Sequence, residues 1–443
     1  MRRAHSREPK GIASSLVGVF PLVGAIASLV YVSFANGALA SRGRLAFGDW
    51  IVGCASHPIG AIVLVQALYT ALQAVLWLRY RPFPRTPGMN WPRVSVVIPA
   101  FNEGPMVERS IRSVARCDYD KDKLEIIVVD DGSRDDTFFC MQRLRREAPE
   151  LVKLVRFVGN RGKRAALEAG FRAATGDVLV TIDSDSEIDP DTIHEMIAPL
   201  VVDPNIGAVA GRIAVLNRDS IIARMLEVHY ALCFDFGRAA QAAYRCVSCC
   251  PGALSALRRR LVVPYLDEWT NQKFLGRPVN HGEDQALTNI VLRQGYDTFY
   301  QSTAVAHTLV PTTYRQLTRM FVRWDRSYIV EGFSFAKFMF SRYRAKNRLM
   351  PVVSFAVSNL RLLLFFVGLV ELPGVFGADL PALAKATLAL LLGAFFTALY
   401  YLRIERSARF VYGVLYAVFS LLCLQWTLPW ALLTVRDERW GTR

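Results

Sequence analysis

The sequence predicts an α/β domain inserted between membrane-spanning α-helices, with amphipathic helices at the interface. Three observations predict it. Long apolar runs lie near both ends of the chain. Between residues 91 and 310, short β-branched runs alternate with polar helical stretches. Of the 443 residues, 52% are hydrophobic and 21% charged, which is more apolar than a soluble protein with that charge content. The formal net charge of +15 suits nucleic acid, anionic lipid or an anionic nucleotide. The arginines cluster beside the apolar runs, which disfavours nucleic acid.

Taken in order, Arg2, Arg3, Arg7 and Lys10 precede an apolar run from Ile12 to Phe34, long enough to cross a bilayer as a helix. The flank Ala38-Leu39-Ala40 resembles a signal-peptidase site, so cleavage there stays open. A second run, Ile59 to Leu78, ends in Arg79, Arg81 and Arg85, and the positive-inside bias puts the following domain in the cytoplasm. Residues 1–90 read as a transmembrane hairpin. Strands are predicted at Val94–Pro99, Leu124–Val129, Leu154–Phe157, Val178–Ile182 and Ala208–Ile213, forming a parallel sheet over 91–310. Residues 311–348 read as amphipathic interface helices. Arg315, Arg319, Arg323 and Arg326 line one face, and Leu317, Phe321, Trp324 and Tyr328 another. Within 349–435, spans at Pro351–Leu372 and Leu380–Leu402 flank an external loop that lacks Lys and Arg. The last run, Phe410 to Val435, has basic residues on both sides, so it is expected to re-enter or lie in the interface, broken by Pro429. Residues 436–443 form a terminal segment.

The chemistry concentrates where strands end. The fourth strand runs into Asp183-Ser184-Asp185, two carboxylates at i and i+2 that project to one side and can hold a divalent cation with a diphosphate. Alone, such a motif is more often a solvated turn. The second strand ends in Asp130-Asp131-Gly132. These carboxylates can accept from a uracil nitrogen and ribose hydroxyls, or cap the next helix. The first strand ends at Asn102 and Glu103, beside the same position. Asn160-Arg161-Gly162-Lys163-Arg164 opens a helix where amides and cations can meet phosphate. In His281-Gly282-Glu283-Asp284, a carboxylate at a helix start can take a proton from an attacking hydroxyl; Asp284 is the candidate and Glu283 the runner-up. Acids favoured at any helix N-terminus are the bland alternative. Cys246, Cys249 and Cys250 look like half of a zinc motif, but no second half follows, and reduced cysteines are the better reading.

Order and spacing of these segments resemble family 2 glycosyltransferases of the GT-A fold. The resemblance implies that Asn102, Glu103, Asp130, Asp131, Lys163 and Arg164 face the nucleotide and diphosphate. It also implies that Asp183 contacts the sugar diphosphate and that Asp185 coordinates Mg²⁺ or Mn²⁺. Met320-Phe321-Val322-Arg323-Trp324 resembles the family's Gln-x-x-Arg-Trp element, whose Trp stacks on the acceptor and whose Arg meets the diphosphate; Met320 stands where the Gln is usual. The chain is most similar to class I hyaluronan synthases and then to nodulation chitooligosaccharide synthases. The similarity rests on stretches such as Arg238-Ala239-Ala240-Gln241, Val247-Ser248-Cys249-Cys250-Pro251-Gly252 and Asp267-Glu268-Trp269. The terminal Trp440-Gly441-Thr442-Arg443 resembles their gating segment, which puts Trp440 over the nucleotide. Cys249, Trp269 and Trp324 fall on the acceptor side.

Together these readings describe a multi-pass cell-membrane enzyme with a cytoplasmic active site. It would polymerise UDP-GlcNAc and UDP-GlcA by a processive, inverting, metal-dependent reaction and export the growing polysaccharide, with membrane lipids and no nucleic acid as its other partners. A chitooligosaccharide synthase, or a non-processive transferase acting on a lipid carrier, is the alternative. A transporter or receptor with a degenerate sugar-binding domain would bind nucleotide without transfer.

Overall fold

A computed structural model of the chain describes residues 58–85, 88–341, 348–376 and 380–437. The chain divides into two compact units: the described parts of 1–79 with 356–422, and 80–355 with 423–443. The domain that carries the strands therefore includes the helix expected to lie at the interface and the last helix of the chain.

The first unit is helical. Helix α1 (Pro58–Arg79) covers the second predicted apolar run, and Trp77 packs edge-on against Tyr400, with the Arg403 guanidinium over its ring. The predicted first span lies outside the described residues. Among those described, no single helix is long and apolar enough to cross a membrane.

The second unit is built on an eight-stranded sheet in the order β3-β2-β1-β4-β7-β6-β10-β5. Its strands are β1 (Val94–Ala100), β2 (Leu124–Asp130), β3 (Val152–Arg156), β4 (Val178–Thr181), β5 (Ser186–Ile188), β6 (Ile206–Val215), β7 (Ser255–Arg258) and β10 (Asp297–Thr308). A two-stranded ribbon pairs β8 (Lys273–Phe274) with β9 (Arg277–Pro278). The wholly parallel sheet expected from the sequence needs correction. Strands β1 to β4 are parallel, as are β6 and β10, but β7 is antiparallel to both β4 and β6, and β5 to β10. Strand β7 has no clear sequence signal: it is four residues long, follows a turn and runs directly into a short helix at Arg259–Val262.

Every residue of β1, β2 and β4 is buried, because helices cover both faces of a largely parallel sheet. The connecting helices are α2 (Met106–Ala115), α3 (Thr137–Glu147), α4 (Lys163–Ala173) and α5 (Thr192–Val202). Helix α2 buries Val107, Ser110, Ile111 and Val114, one stripe at helical spacing. Helix α6 (Ile221–Tyr230) runs through a π-helical turn, Ala231–Phe236, into α7 (Gly237–Ala243). Then follow the short α8 (Leu266–Thr270), α9 (Glu283–Arg293) and the 25-residue α10 (Tyr314–Phe338). Thr313 and Gln316 start α10 with a reciprocal capping box.

Helix α10 is not the simple two-faced interface helix that was expected. Arg315 and Arg319 are exposed, but Arg326 is buried and donates to Thr434 Oγ1 (2.8 Å), with Asp437 3.4 Å away. Asp325 is buried too, accepting from Thr427 Oγ1 at 2.9 Å. These polar contacts stitch α10 to the chain's last helix. The remaining helices are α11 (Leu349–Phe376) and α12 (Leu380–Glu405), which coincide with predicted spans, then α13 (Val411–Cys423) and α14 (Thr427–Leu433). The last apolar run is broken, and residues 408–433 are long and apolar enough for a membrane only as a pair bent by 45°, a shape shared by a broken span and a re-entrant loop. Pro429 is not the breaker. The break falls at residues 424–426, and Pro429 sits in the first turn of α14, where its missing N–H costs no hydrogen bond.

Candidate active site

The carboxyl ends of β1, β2 and β4 meet along one edge of the sheet, the place where open α/β sheets bind ligands. At the end of β1, Asn102 takes a left-handed conformation (φ +53°). Its N–H donates to Ser133 Oγ (3.0 Å), and its Oδ1 accepts from the Arg134 N–H (2.9 Å). The Glu103 N–H donates to Thr137 Oγ1 (2.9 Å). The β1 loop is thereby locked to the β2 loop.

At the end of β2 the two acids divide their roles. Asp131 accepts from the Arg161 and Gly162 N–H groups (2.7 and 2.9 Å), so both of its oxygens hold the turn before α4. Burial raises the Asp131 pKa, and those two amides pull it back only partly. Asp130 Oδ1 accepts from the Ser133 N–H (2.9 Å). Its Oδ2 is buried and lacks an aligned hydrogen bond, although Arg156 Nε approaches to 3.2 Å. Asp130 Oδ2 thus has only the Arg156 guanidinium beside it, whereas both Asp131 oxygens are taken by backbone amides. Between β2 and α3, Gly132 has φ +73°, and a Cβ there would lie 2.4 Å from the Gly159 carbonyl carbon.

Beyond β4 lies the charged centre. Asp183 Oδ1 accepts from Lys163 Nζ at 2.6 Å, and the same ammonium sits 3.0 Å from Glu283 Oε1. Burial lowers the Lys163 pKa, but Asp183 and Glu283 outweigh it and hold the ammonium above the usual lysine value. Asp185 Oδ1 accepts from Thr308 Oγ1 (3.2 Å) on β10 and from Ser186 Oγ (3.3 Å). Among the described residues, no group of three or more His, Cys, Asp and Glu side chains could enclose a metal ion. A site formed by one carboxylate and a substrate diphosphate still fits Mg²⁺ or Mn²⁺, which keep water and phosphate oxygens as ligands.

Glu283 and Asp284 open α9 behind Gly282, which is left-handed (φ +69°) and packs against Ser327 of α10. Asp284 Oδ2 accepts from the Gly252 N–H (3.2 Å) and faces Cys249 Sγ at 3.7 Å; its Oδ1 accepts from the Gln285 N–H (2.8 Å). The two carboxylates are pushed apart. Burial alone raises both, but the Lys163 ammonium brings Glu283 below the ordinary range, whereas Glu283 adds to the rise at Asp284. Asp284 is thus the better proton acceptor of the pair. Burial and Asp284 also raise the Cys249 thiol well above its ordinary value. A Cβ at Gly252 would lie 2.9 Å from Lys163 Nζ, so a side chain there would shift the ammonium.

Trp324 on α10 stands in an aromatic group with Phe321, Phe234 and Tyr230, at ring-centroid distances of 5.6, 5.8 and 6.1 Å. The π-helical turn swings Phe234 into this group, a distortion that recurs at functional sites. The Tyr230 hydroxyl donates to Met320 Sδ (3.7 Å). The buried Arg238 lies over the Phe234 ring at 4.4 Å, with no hydrogen-bond partner for its Nη1. The charge of Arg323 reaches Glu283 and Tyr230.

Two expected contacts need correction. Arg164 points inward, donating to the Trp269 carbonyl (2.6 Å), Gln272 Oε1 (2.7 Å) and the His281 carbonyl (3.1 Å), so it cannot reach phosphate. Trp269 is 2% exposed, lies below Arg164 and donates through Nε1 to the Glu283 carbonyl (3.1 Å), which leaves no ring face for a sugar. Both support the Glu283-Asp284 helix start from behind. Trp440 lies outside the described residues. The sequence reading missed Tyr230, Phe234, Thr308 and the role of Gly252. A π-turn has no residue signature, and β10 brings Thr308 to Asp185 from far along the chain.

Residues 95–263 match the glycosyl transferase family 2 model. An N-acetylglucosaminyltransferase of Azorhizobium caulinodans is 32% identical over 80% of this chain and 87% of its own length. A hyaluronan synthase of Streptococcus pyogenes serotype M1 is 29% identical over 89% of this chain and 92% of its own. Among solved structures, a mannosyltransferase from Pyrobaculum calidifontis in complex with GDP-Man and Mn²⁺ has a TM-score of 0.56 at 24% identity. The match covers 82% of this chain and 98% of that one, and the likeness is one of fold.

Proposed function

Because the chain belongs to glycosyl transferase family 2, we propose that this sugar-transferring enzyme is a processive, inverting membrane synthase that elongates a polysaccharide from UDP-sugars. The donors are UDP-GlcNAc and, for a hyaluronan-type product, UDP-GlcA. The single observation that carries the reading is the arrangement around Asp284: a buried carboxylate with a raised pKa beside the Lys163–Asp183–Glu283 charge cluster, on a helix start that Gly282 packs against Ser327 of α10, the helix that carries Trp324.

Asp130 accepts from the uracil and ribose of the donor, and Asn102 and Glu103 border the same position. Lys163, released from Asp183 and Glu283, meets the diphosphate, and Arg323 adds a second cation. A divalent cation held by Asp185 would supply charge stabilisation to the departing UDP. Asp284 takes the proton of the acceptor hydroxyl as its oxygen attacks the anomeric carbon, and the bond from that carbon to UDP breaks on the opposite face. Trp324 stacks the terminal acceptor sugar, and Cys249 borders it. The helices α1, α11 and α12 serve as the membrane part, with the catalytic unit on the cytoplasmic side.

The test is product analysis with each UDP-sugar alone and in pairs. Hyaluronidase-sensitive polymer that needs both UDP-GlcNAc and UDP-GlcA supports the hyaluronan-type reading. The higher identity to N-acetylglucosaminyltransferases favours a second reading, a chitooligosaccharide-type enzyme, which polymer from UDP-GlcNAc alone would establish. Nucleotide binding with no transfer from any UDP-sugar would overturn both.

A further inference from the structure

One buried carboxylate has no part in the chemistry above. Glu331 lies on α10, two helical turns beyond Trp324, and is 1% exposed. Gln272 Nε2 donates to its Oε1 (2.7 Å) and Asn289 Nδ2 to its Oε2 (2.9 Å); Asn289 Nδ2 also reaches the Glu331 carbonyl at 3.1 Å. The other end of the Gln272 amide, Oε1, accepts from Arg164 Nη1 (2.7 Å). One amide thus joins a buried guanidinium to a buried carboxylate, with each end matched to the charge it faces. The three segments joined this way are those that carry the active groups: Arg164 follows Lys163, Asn289 is on α9 with Asp284, and Glu331 is on α10 with Trp324.

A buried charge is a poor means of gaining stability, since apolar residues of equal volume commonly serve as well. What such a group does specify is register: a carboxylate with both oxygens matched allows one placement of α10 against α9. We infer that Glu331, acting through Gln272 and Asn289, is a positioning residue that keeps the Trp324 acceptor platform aligned with Asp284. The inference rests on the roles proposed for those two residues. Burial raises the Glu331 pKa, which Gln272, Asn289 and Arg164 partly offset, as befits a carboxylate whose place is fixed by neighbours rather than by water.

If α10 drifts, the acceptor hydroxyl leaves Asp284 while the donor stays bound, and water takes a larger share of the sugar. The readout is the amount of sugar incorporated per UDP released by the purified full-length protein supplied with radiolabelled UDP-GlcNAc and UDP-GlcA. Because it is a ratio, a smaller folded fraction does not change it. In Glu331→Gln one of the two donors loses its partner, and incorporation per UDP should fall at least threefold while affinity for UDP alone stays within twofold. Adding Gln272→Glu moves the carboxylate next to Arg164 and reinstates every hydrogen bond. The new amide at position 331 then donates to the new carboxylate at position 272 and accepts from Asn289. The double variant should return to within twofold of the wild-type ratio, including where Glu331→Gln alone does not fold. A wild-type ratio in Glu331→Gln, or no recovery in the double variant, overturns the inference. Absence of transfer by the wild-type protein would count against the proposed function instead.

Discussion

At the scale of single residues, the site is a problem of three charges and one proton. Lys163 neutralises Asp183 and Glu283, and Asp284, next to Glu283, carries the raised pKa. A general base works only when deprotonated, so transfer should be lost as pH falls through the Asp284 pKa, and the acid limb of kcat/KM should lie above the ordinary aspartate range. Glu283→Gln removes the like charge that helps raise Asp284, so that limb should move to lower pH; a limb that stays put would assign it to another group. Asp284→Asn should lower kcat by about 10²- to 10⁴-fold, the usual worth of a positioned base. UDP binding to that variant should be unchanged by calorimetry. Asp185→Ala should abolish the response to added Mn²⁺ or Mg²⁺ after chelation, which retained metal-dependent turnover would contradict.

At the scale of elements, the strand ends proposed to hold the nucleotide were legible in the sequence, because short β-branched runs ended in acids and glycines and the chain order of β1, β2 and β4 put those ends together. Asp130 and Asp183 were readable in this way, Lys163 and Asp284 as residues that open helices, and the structure brings Lys163 against Asp183 and Glu283. Arg164 and Trp269 were misread because a motif gives the position of a side chain in the chain but not its direction; only packing shows that both turn inward. The aromatic group around Trp324 was half legible: Trp324 and Phe321 belong to a motif, whereas Phe234 depends on a π-turn. The loops have firm requirements of their own. Gly132→Ala would force a left-handed φ on alanine and drive its Cβ into the Gly159 backbone. It should destabilise the unit by roughly 1–3 kcal/mol, read as a lower thermal midpoint, and raise the KM for the donor. At the opposite end of the sheet, Glu125 on β2 accepts from Ser95 Oγ (2.5 Å), the Thr175 N–H (2.7 Å) and Lys153 Nζ (2.6 Å). Burial alone raises its pKa, but those donors hold it at about 2. A depressed carboxylate stabilises the fold above its unfolded pKa and loses that contribution as pH falls from about 4.5 towards 2. Glu125→Gln should therefore flatten the acid side of the stability curve, as measured by thermal unfolding at stepped pH.

At the scale of the whole molecule, the proposed reaction makes a demand that no single transfer would. A processive synthase keeps its acceptor after each step, and a hydrophilic polymer made on one side of a bilayer needs a protected way across it, since polar groups cannot be left unsatisfied in hydrocarbon. The helices α1, α11 and α12, none of which passes alone among the described residues as long and apolar enough to span, and the broken pair α13–α14, are the proposed material for that path. The consequence can be measured in sealed proteoliposomes that contain only this protein, with UDP-sugars added outside. Vesicles in which the catalytic unit faces outward should accumulate long polymer in the lumen. Added polysaccharide hydrolase should not degrade it until detergent opens the vesicles, and the length distribution should stay long even at low turnover. A transferase that adds one sugar to a lipid carrier would instead give label that extracts into organic solvent at a fixed, short length. Polymer that stays wholly sensitive to the hydrolase in sealed vesicles would separate synthesis from export and leave α11 and α12 as anchors alone.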